Sequence, residues 1–305
     1  MIVPFRVALN MRFRRVTERS GVLLEGPCGW GEFSPFPEYP DEVAHRWWLA
    51  ALEAATVSWP APLRSGIPVN VTIPAVGADE AHALVVSSGC TTAKVKVAEG
   101  DDEARLEAVR DALGPAGKLR IDVNGAWDLD TAIDTIKRFA RFDLEYVEQP
   151  CETVEDLAAV RRAVDVAIAA DESIRLADDP MEVVRKEAAD VAILKVQPLG
   201  GVLPALEVAE RLGLPAVVSS ALETSVGIAM GLHLAACLPE LPYACGLGTV
   251  ALLERDVVAE PLVPVDGVIE LRRPLPEIDR IDDPGDADNL ILRLENAIEN
   301  RMGAG

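Results

Sequence analysis

Short apolar runs recur through the middle of the chain at nearly constant spacing, and each is followed by a helix-like stretch. Eight such runs occupy residues 68–73, 93–97, 119–123, 144–148, 166–171, 191–196, 215–220 and 242–246. Lys96, Asp122, Glu148, Asp171 and Lys195 mark successive run ends, separated by 26, 26, 23 and 24 residues. A strand, a helix and two tight turns need about that length. Residues 101–113 place Ala104, Leu106, Ala108, Val109 and Leu113 near one helix face, with acids in the first turn and Gly114 as a stop. Residues 128–139 repeat the scheme, with Ile133, Ile136 and Phe139 as the apolar stripe.

Strands that are apolar on both faces and alternate with helices imply an all-parallel sheet covered on both sides. An open doubly wound sheet calls for a glycine-rich turn after its first strand, and none follows Ile73. Eight strands and seven intervening helices therefore predict an α/β fold, a closed barrel of the modified TIM type. Residues 1–66 break the period. Runs at 2–9, 22–25 and 30–33 read as antiparallel strands, and 40–57 reads as a helix with Trp47 and Trp48 on its packing side. This predicts an α+β capping lobe at 1–66, a barrel at 67–260, and a tail at 261–305 that carries a strand at 268–271 and packs with the lobe.

Charge narrows the partners. The 305 residues hold 29 Lys and Arg against 50 Asp and Glu, a net charge of −21, with no basic block. Such a surface repels nucleic-acid backbones and anionic lipid. The most apolar stretch, 225–238, is shorter than the roughly 20 residues of a membrane span and contains His233. The first six residues do not form a basic leader with an apolar core. Five cysteines without Cys-x-x-Cys spacing read as reduced thiols. Together these predict a cytoplasmic protein with a small-molecule partner, and no nucleic-acid or membrane partner.

The informative residues are the polar ones inside the apolar runs. Barrel enzymes place their catalytic groups at the C-terminal ends of the strands. Lys94 and Lys96 are two apart and so point to one side of their strand, as do Arg120, Asp122 and Asn124. Around the mouth this sets two lysines, then Asp122, Glu148 and Asp171, then Lys195. Three carboxylates in a low-dielectric mouth require a cation to stay ionised together. An all-oxygen donor set favours Mg²⁺ or Mn²⁺ over Zn²⁺. A lysine beside a cation and a second lysine has its neutral form favoured and can act as a base, which points to proton abstraction next to a carboxylate.

The motifs Lys94-Val95-Lys96, Asp122-Val123-Asn124, Glu148-Gln149-Pro150, Asp171-Glu172-Ser173 and Lys195-Val196-Gln197-Pro198 resemble those of the enolase superfamily, in its muconate-lactonizing-enzyme-like subgroup. The resemblance covers nearly the whole chain, including Gly29-Trp30-Gly31-Glu32 of the lobe. It implies a (β/α)₇β barrel, Mg²⁺ held by Asp122, Glu148 and Asp171, and Lys96 as the general acid/base. Lys94 then tunes Lys96 or orients a substrate carboxylate, Lys195 faces them from the other side, and Glu172 is the expected partner of Lys195. Within the subgroup the chain is most similar to the branch that dehydrates 2-succinyl-6-hydroxy-2,4-cyclohexadiene-1-carboxylate in menaquinone biosynthesis. That similarity rests on the Trp30–Phe36 segment, on Ser219-Ser220-Ala221-Leu222-Glu223-Thr224 and on Gly246-Leu247-Gly248-Thr249. Dipeptide epimerases of the subgroup carry Asp-x-Asp where Gly246-Leu247-Gly248 stands, so the resemblance implies an anionic, amine-free substrate.

Ser219, Ser220, Gly246, Gly248 and Asn124 are expected to bind the substrate, the first four by offering hydroxyl and backbone donors to its far end. Arg120 is expected to support the site as an inward salt-bridge partner. Arg12, Arg14 and Arg15 fall in a lobe loop that either closes over the mouth or stays a solvated surface. Other readings remain open at this point: an N-acylamino acid racemase or cycloisomerase with the same core, a Schiff-base aldolase acting through Lys195, and a non-catalytic barrel.

Overall fold

The structure, a computed structural model, describes residues 1–13, 16–282 and 284–300. Strands β1 (Ile2–Phe13), β2 (Val16–Gly26) and β3 (Gly29–Phe33) form an antiparallel sheet in that order. The first two extend beyond their apolar cores, because the hairpin continues into half-exposed polar residues. Helix α1 (Asp41–Thr56) lies directly on the sheet through a face of Ala44, Trp47, Ala50, Ala51, Ala54 and Ala55. Gly31 permits that approach, since a Cβ there would come 2.0 Å from the Ala51 carbonyl oxygen.

The barrel follows. After β4 (Gly66–Pro68) come β5 (Val71–Ile73), α2 (Ala78–Ser88), β6 (Thr92–Lys96), α3 (Asp102–Leu113), β7 (Lys118–Asp122), α4 (Leu129–Phe139) and β8 (Leu144–Glu148). Then come α5 (Val154–Ala163), β9 (Ile168–Ala170), α6 (Glu172–Arg175), α7 (Glu182–Arg185), β10 (Val191–Leu194), α8 (Val196–Leu199), α9 (Val202–Leu212), β11 (Ala216–Val218) and α10 (Ser225–Cys237). Strands β5 to β11 pair in sequence order, all parallel. The two expected helix starts are real caps: the side chain of Asp101 accepts from the Ala104 amide and that of Asp128 from the Thr131 amide. Among the described residues, no helix is long and apolar enough to cross a membrane. All five cysteines are free.

Two of the expected barrel strands differ from their apolar runs. The first run divides, with β4 pairing antiparallel to β12 (Val268–Glu270) and only β5 entering the barrel. The last run forms no full strand. Cys245 bridges to Val69 and Gly246 to Ser219, both parallel, and these two residues close the ring between β11 and β5. Pro242 has no N–H to give a ladder, and the chain coils into a short 3₁₀ turn at Gly248–Leu252 before more pairs can form. The tail continues into α11 (Ala287–Glu299), whose Leu294 and Ala297 join Val22, Leu24, Phe33 and Trp47 in one apolar cluster.

A buried carboxylate joins the antiparallel sheet to the barrel. Glu32 on β3 accepts from Ser34 Oγ at 2.6 Å, Thr224 Oγ1 at 2.5 Å and the Gly227 amide at 2.9 Å, which places it at the N-terminus of α10. Burial nevertheless pushes its pKa from 4.5 up to about 7 against those hydrogen bonds. A folded-state pKa above the unfolded one stabilises fully below pH 4.5 and loses that contribution as pH rises through about 7. Raising the pH from 5 to 8 should therefore lower the melting temperature of the wild type relative to Glu32→Gln by a few degrees. Thermal melts of both proteins across that range check it, and a constant difference refutes it.

Candidate active site

Parallel register builds the site. Lys96 on β6 pairs with Asp122 on β7, and Asp122 pairs with Glu148 on β8. The chain leaves β9 at Ala170 and β10 at Leu194, so Asp171 and Lys195 stand at the next two strand ends. Six charged residues thus share one rim, all at most intermediate in exposure and five of them buried.

They are paired across neighbouring strands. Lys94 Nζ donates to both carboxylate oxygens of Glu148 at 3.1 Å and lies 3.4 Å from Asp122 Oδ2. Lys96 donates to Asp122 Oδ2 and, at 2.7 Å, to Asn124 Oδ1. Lys195 donates to Asp171 Oδ2 at 2.6 Å, and Arg175 Nε donates to Asp171 Oδ1 at 2.8 Å. The protein's own lysines thus face all three carboxylates.

The lysines nevertheless differ. Burial works against the charge of Lys94, but Glu148 and Asp122 outweigh it and hold its pKa above the ordinary lysine value. Burial lowers the pKa of Lys96, with Asp122 opposing and the positive charges of Lys94 and Lys195 adding to the depression. Asp122 and Asp171 are held below the usual carboxylate range. Burial raises both, and the lysines around Asp122, with Arg175 and Lys195 around Asp171, reverse it. Glu148 goes the other way: burial, then Asp122, push it from 4.5 up to about 7 despite Lys94.

Backbone strain marks the same place. Asn124 and Gln149, just past the ends of β7 and β8, hold positive φ of 52° and 41°. Gln149 pins the next strand end, since its Oε1 accepts from the amides of Asp171 at 2.9 Å and Ser173 at 3.2 Å. Asn124 has both amide atoms engaged, its Nδ2 donating to Glu172 Oε1 at 3.1 Å. Glu172 does not pair with Lys195 as expected. Its Oε1 also accepts from Arg175 Nη2 at 2.6 Å, and its Oε2 is buried without a partner, because the turn at Asp171 swings it toward β7.

Over this rim is a narrow gap of about 20 Å³, lined by Lys94, Lys96, Asp122, Lys195, Ser219, Ser220 and Gly246 together with Phe13, Phe36, Thr72, Ala221, Leu222 and Thr249. That volume suits a water molecule. Phe13 and Lys96 also line an outer opening of about 250 Å³, with Arg12, Glu99 and Asn124 around it. Arg14 and Arg15 lie outside the described residues.

The residues expected to read the substrate separate in space. Ser219 Oγ lies 3.5 Å from Lys94 Nζ, and Ser220 Oγ is 2.7 Å from Thr249 Oγ1. The expected backbone donors are spent within the barrel: the Ser219 amide bonds Leu194, that of Gly246 bonds Val218 and that of Ser220 bonds Gly246. Gly246 instead leaves room, as a Cβ there would come 2.5 Å from Ser219 Oγ. Gly248 stands off the gap, against the Asn70 carbonyl. Arg120 is below the rim and fully buried. It donates to Glu145 at 2.6 Å and to the Ala244 carbonyl at 2.7 Å, and stacks 4.7 Å from the Tyr146 ring centre.

Sequence reasoning missed the placing of Phe13, at the end of β1, and of Phe36, just past β3, although Phe36 falls in the Trp30–Phe36 segment that carried the resemblance. Thr72 was legible as a polar residue in an apolar strand. Arg175 was legible as a cation four residues after Asp171 on a helix.

Comparison with known proteins agrees with this geometry. Residues 4–55 match the family model described as Enolase N-terminal domain-like, and residues 77–276 match Enolase C-terminal domain-like. The chain is 63% identical over 274 residues to an o-succinylbenzoate synthase of Thermobifida fusca, covering 88% of this chain and 86% of that protein. It is 51% identical over 280 residues to one of Mycolicibacterium smegmatis, covering 90% and 86%. In structure it resembles an L-Ala-D/L-Glu epimerase from Bacillus subtilis, with a TM-score of 0.78 at 23% identity over 91% of this chain and 96% of that one. It also resembles the muconate lactonizing enzyme of Pseudomonas fluorescens, with a TM-score of 0.75 at 20% identity over 94% and 97%. At those identities the two structures speak to the fold.

The buried pairs yield one prediction. Lys94→Met leaves Glu148 facing Asp122 and Asp171 without its cation. It should cost about 3–5 kcal/mol, read from urea denaturation in metal-free buffer. A loss below about 1 kcal/mol would mean that the pair carries no such weight.

Proposed function

The chain belongs to the enolase superfamily and, within it, to the o-succinylbenzoate synthases, and from that premise we propose how its residues dehydrate 2-succinyl-6-hydroxy-2,4-cyclohexadiene-1-carboxylate to o-succinylbenzoate in menaquinone biosynthesis. The observation that carries the reading is the pair of unlike lysines at the rim. Lys96 is the one whose charge the site disfavours, and Lys195 faces the carboxylates from the strand end beyond them.

Superfamily members are generally Mg²⁺-dependent. The donor set fits such an ion. The fit is one of chemistry: the donors are all oxygen, and Glu148 is pushed up to about 7 because burial and its carboxylate neighbours together outweigh Lys94. Among the described residues the carboxylates are held by lysines and not gathered as a metal cluster. Asp122, Glu148 and Asp171 would hold the ion, with Mn²⁺ as a substitute. When bound, it supplies positive charge to the substrate carboxylate while the neighbouring carbon loses its proton.

The chain's own groups do the rest. Neutral Lys96 takes the proton from the carbon bearing the ring carboxylate, and the C–H electron pair moves toward that carboxylate. Protonated Lys96 then returns the proton to the hydroxyl leaving from the same face. The C–O bond breaks, water departs and the ring becomes aromatic. Asn124 fixes the Lys96 amine through its side-chain oxygen. Lys195 balances negative charge from the other face without moving a proton, and Lys94 keeps Glu148 and Asp122 in place. The hydroxyls of Ser219 and Ser220 are the donors available to the succinyl carboxylate, with Gly246 keeping that space open.

Lys195 opposite Lys96 is also the arrangement that two-base racemisation of N-succinylamino acids requires. The kcat/KM on the cyclohexadiene should exceed that on N-succinylamino acids, and a clear preference for the amino acids overturns the substrate assignment. Lys96→Ala should lower kcat about 10²–10⁴-fold while calorimetric Mg²⁺ affinity is not weakened, since Asp122, Glu148 and Asp171 all remain. Asp122→Ala or Glu148→Ala should weaken Mg²⁺ binding itself. Wild-type turnover in the Lys96 variant would falsify the mechanism.

A further inference from the structure

Arg175 does not line the gap above the rim, yet its side chain holds two residues of the site's framework, Asp171 and Glu172. It is 2% exposed on the short helix after Asp171. Each guanidinium nitrogen has its own acceptor: Nε donates to Asp171 Oδ1 at 2.8 Å, Nη2 to Glu172 Oε1 at 2.6 Å, and Nη1 to Tyr39 Oη at 2.6 Å. Two chains of contact leave this hub. One runs through Asp171, whose other oxygen accepts from Lys195 at 2.6 Å. The other runs through Glu172 Oε1 to Asn124 Nδ2 at 3.1 Å, and from Asn124 Oδ1 to Lys96 Nζ at 2.7 Å.

The third nitrogen reaches outside the barrel. Tyr39 precedes α1, packs 5.2 Å from the Trp47 ring centre and 6.1 Å from that of Phe36, and its carbonyl accepts from Arg293 of α11 at 3.0 Å. The Arg175 carbonyl in turn accepts from Arg46 of α1 at 3.0 Å. Phe36 is also a wall of the gap. One buried cation therefore binds the lobe to both lysines at once.

We infer that Arg175 is a positioning residue that holds Asp171 and Glu172 in register with Tyr39 of the capping lobe, and so sets the geometry of the cation site and of both lysines. By occupying Asp171 Oδ1 it turns Oδ2 toward the centre of the rim. By holding Glu172 it fixes the Asn124 amide against which the Lys96 amine rests. The planar fork is what the role needs: three N–H directions lie in one plane with three fixed acceptors, which the single point charge of a lysine does not reproduce. The inference rests on the proposed dehydration only for its kinetic readout, because ion affinity is measured without organic substrate.

The test compares wild type, Arg175→Lys and Tyr39→Phe. Mg²⁺ affinity is measured by calorimetry on the chain alone, the folded fraction by circular dichroism, and kcat and KM with the cyclohexadiene. Arg175→Lys should weaken Mg²⁺ binding about 10–100-fold and lower kcat by a comparable factor, with KM for the cyclohexadiene changed far less. Tyr39→Phe removes one of the three bonds and should shift the same quantities in the same direction by a smaller factor. Wild-type Mg²⁺ affinity and kcat in Arg175→Lys overturn the role. So does a loss of activity that only follows the folded fraction while the folded molecules bind Mg²⁺ normally. A wild-type chain that binds Mg²⁺ but does not dehydrate the cyclohexadiene overturns the reaction and leaves Arg175 to be judged on affinity alone.

Discussion

Lys96 beside Asp122, and Asp122 beside Glu148, are consequences of parallel strand register, and the rest of the molecule depends on that register being held. Ionised groups in a water-poor mouth are tolerable only when each finds an opposite charge at hydrogen-bonding distance. A slip of one residue in any of these strands would turn a charged side chain into the apolar layer between barrel and helices. The apolar faces of β6 to β8 forbid the slip, since Val95, Ile121 and Val147 are fully buried on the other side. Helix packing outside the barrel thereby secures electrostatics inside it.

The same pairing separates the roles of chemically identical side chains. Lys94 and Lys96 are two residues apart on one strand, yet their pKa values move in opposite directions. Lys94 reaches inward to hold both Glu148 and Asp122, whereas for Lys96, nearer the strand end, burial and the charges of Lys94 and Lys195 outweigh Asp122 and Glu148. Glu148 and Asp122 split in the same way, one raised and one lowered. Groups of one kind with divergent titration are what general acid/base chemistry draws on.

The antiparallel sheet and α1 are more than a cover. Glu32 enters the N-terminus of α10, Arg19 donates to the carbonyl of Leu222, and Tyr39 reaches Arg175. Each contact crosses from the lobe to a loop or helix that borders the rim. The 220–222 wall, with Leu222 at a positive φ of 65°, is thus held partly from outside the barrel.

The repeat spacing of 23 to 26 residues and the alternation within each run sufficed to read the barrel and the six charged positions from the sequence. Both are local properties, carried by strand period and helix period. The reaction was legible only through resemblance, in the Trp30–Phe36, Ser219–Thr224 and Gly246–Thr249 segments, and the relatives agree with it. Partners across the fold were not legible. Nothing local says that Glu172 faces Asn124 and Arg175 instead of Lys195, that Gly248 stands off the gap, or that Phe13 and Phe36 close it. Which lysine bears its charge easily was equally hidden, because a pKa depends on every buried charge within a few ångströms and not on sequence neighbours. The sequence alone determined which residues stand at the strand ends, because periodicity is written along the chain. Only the tertiary structure decided what each one touches, because contact is settled by how distant segments pack.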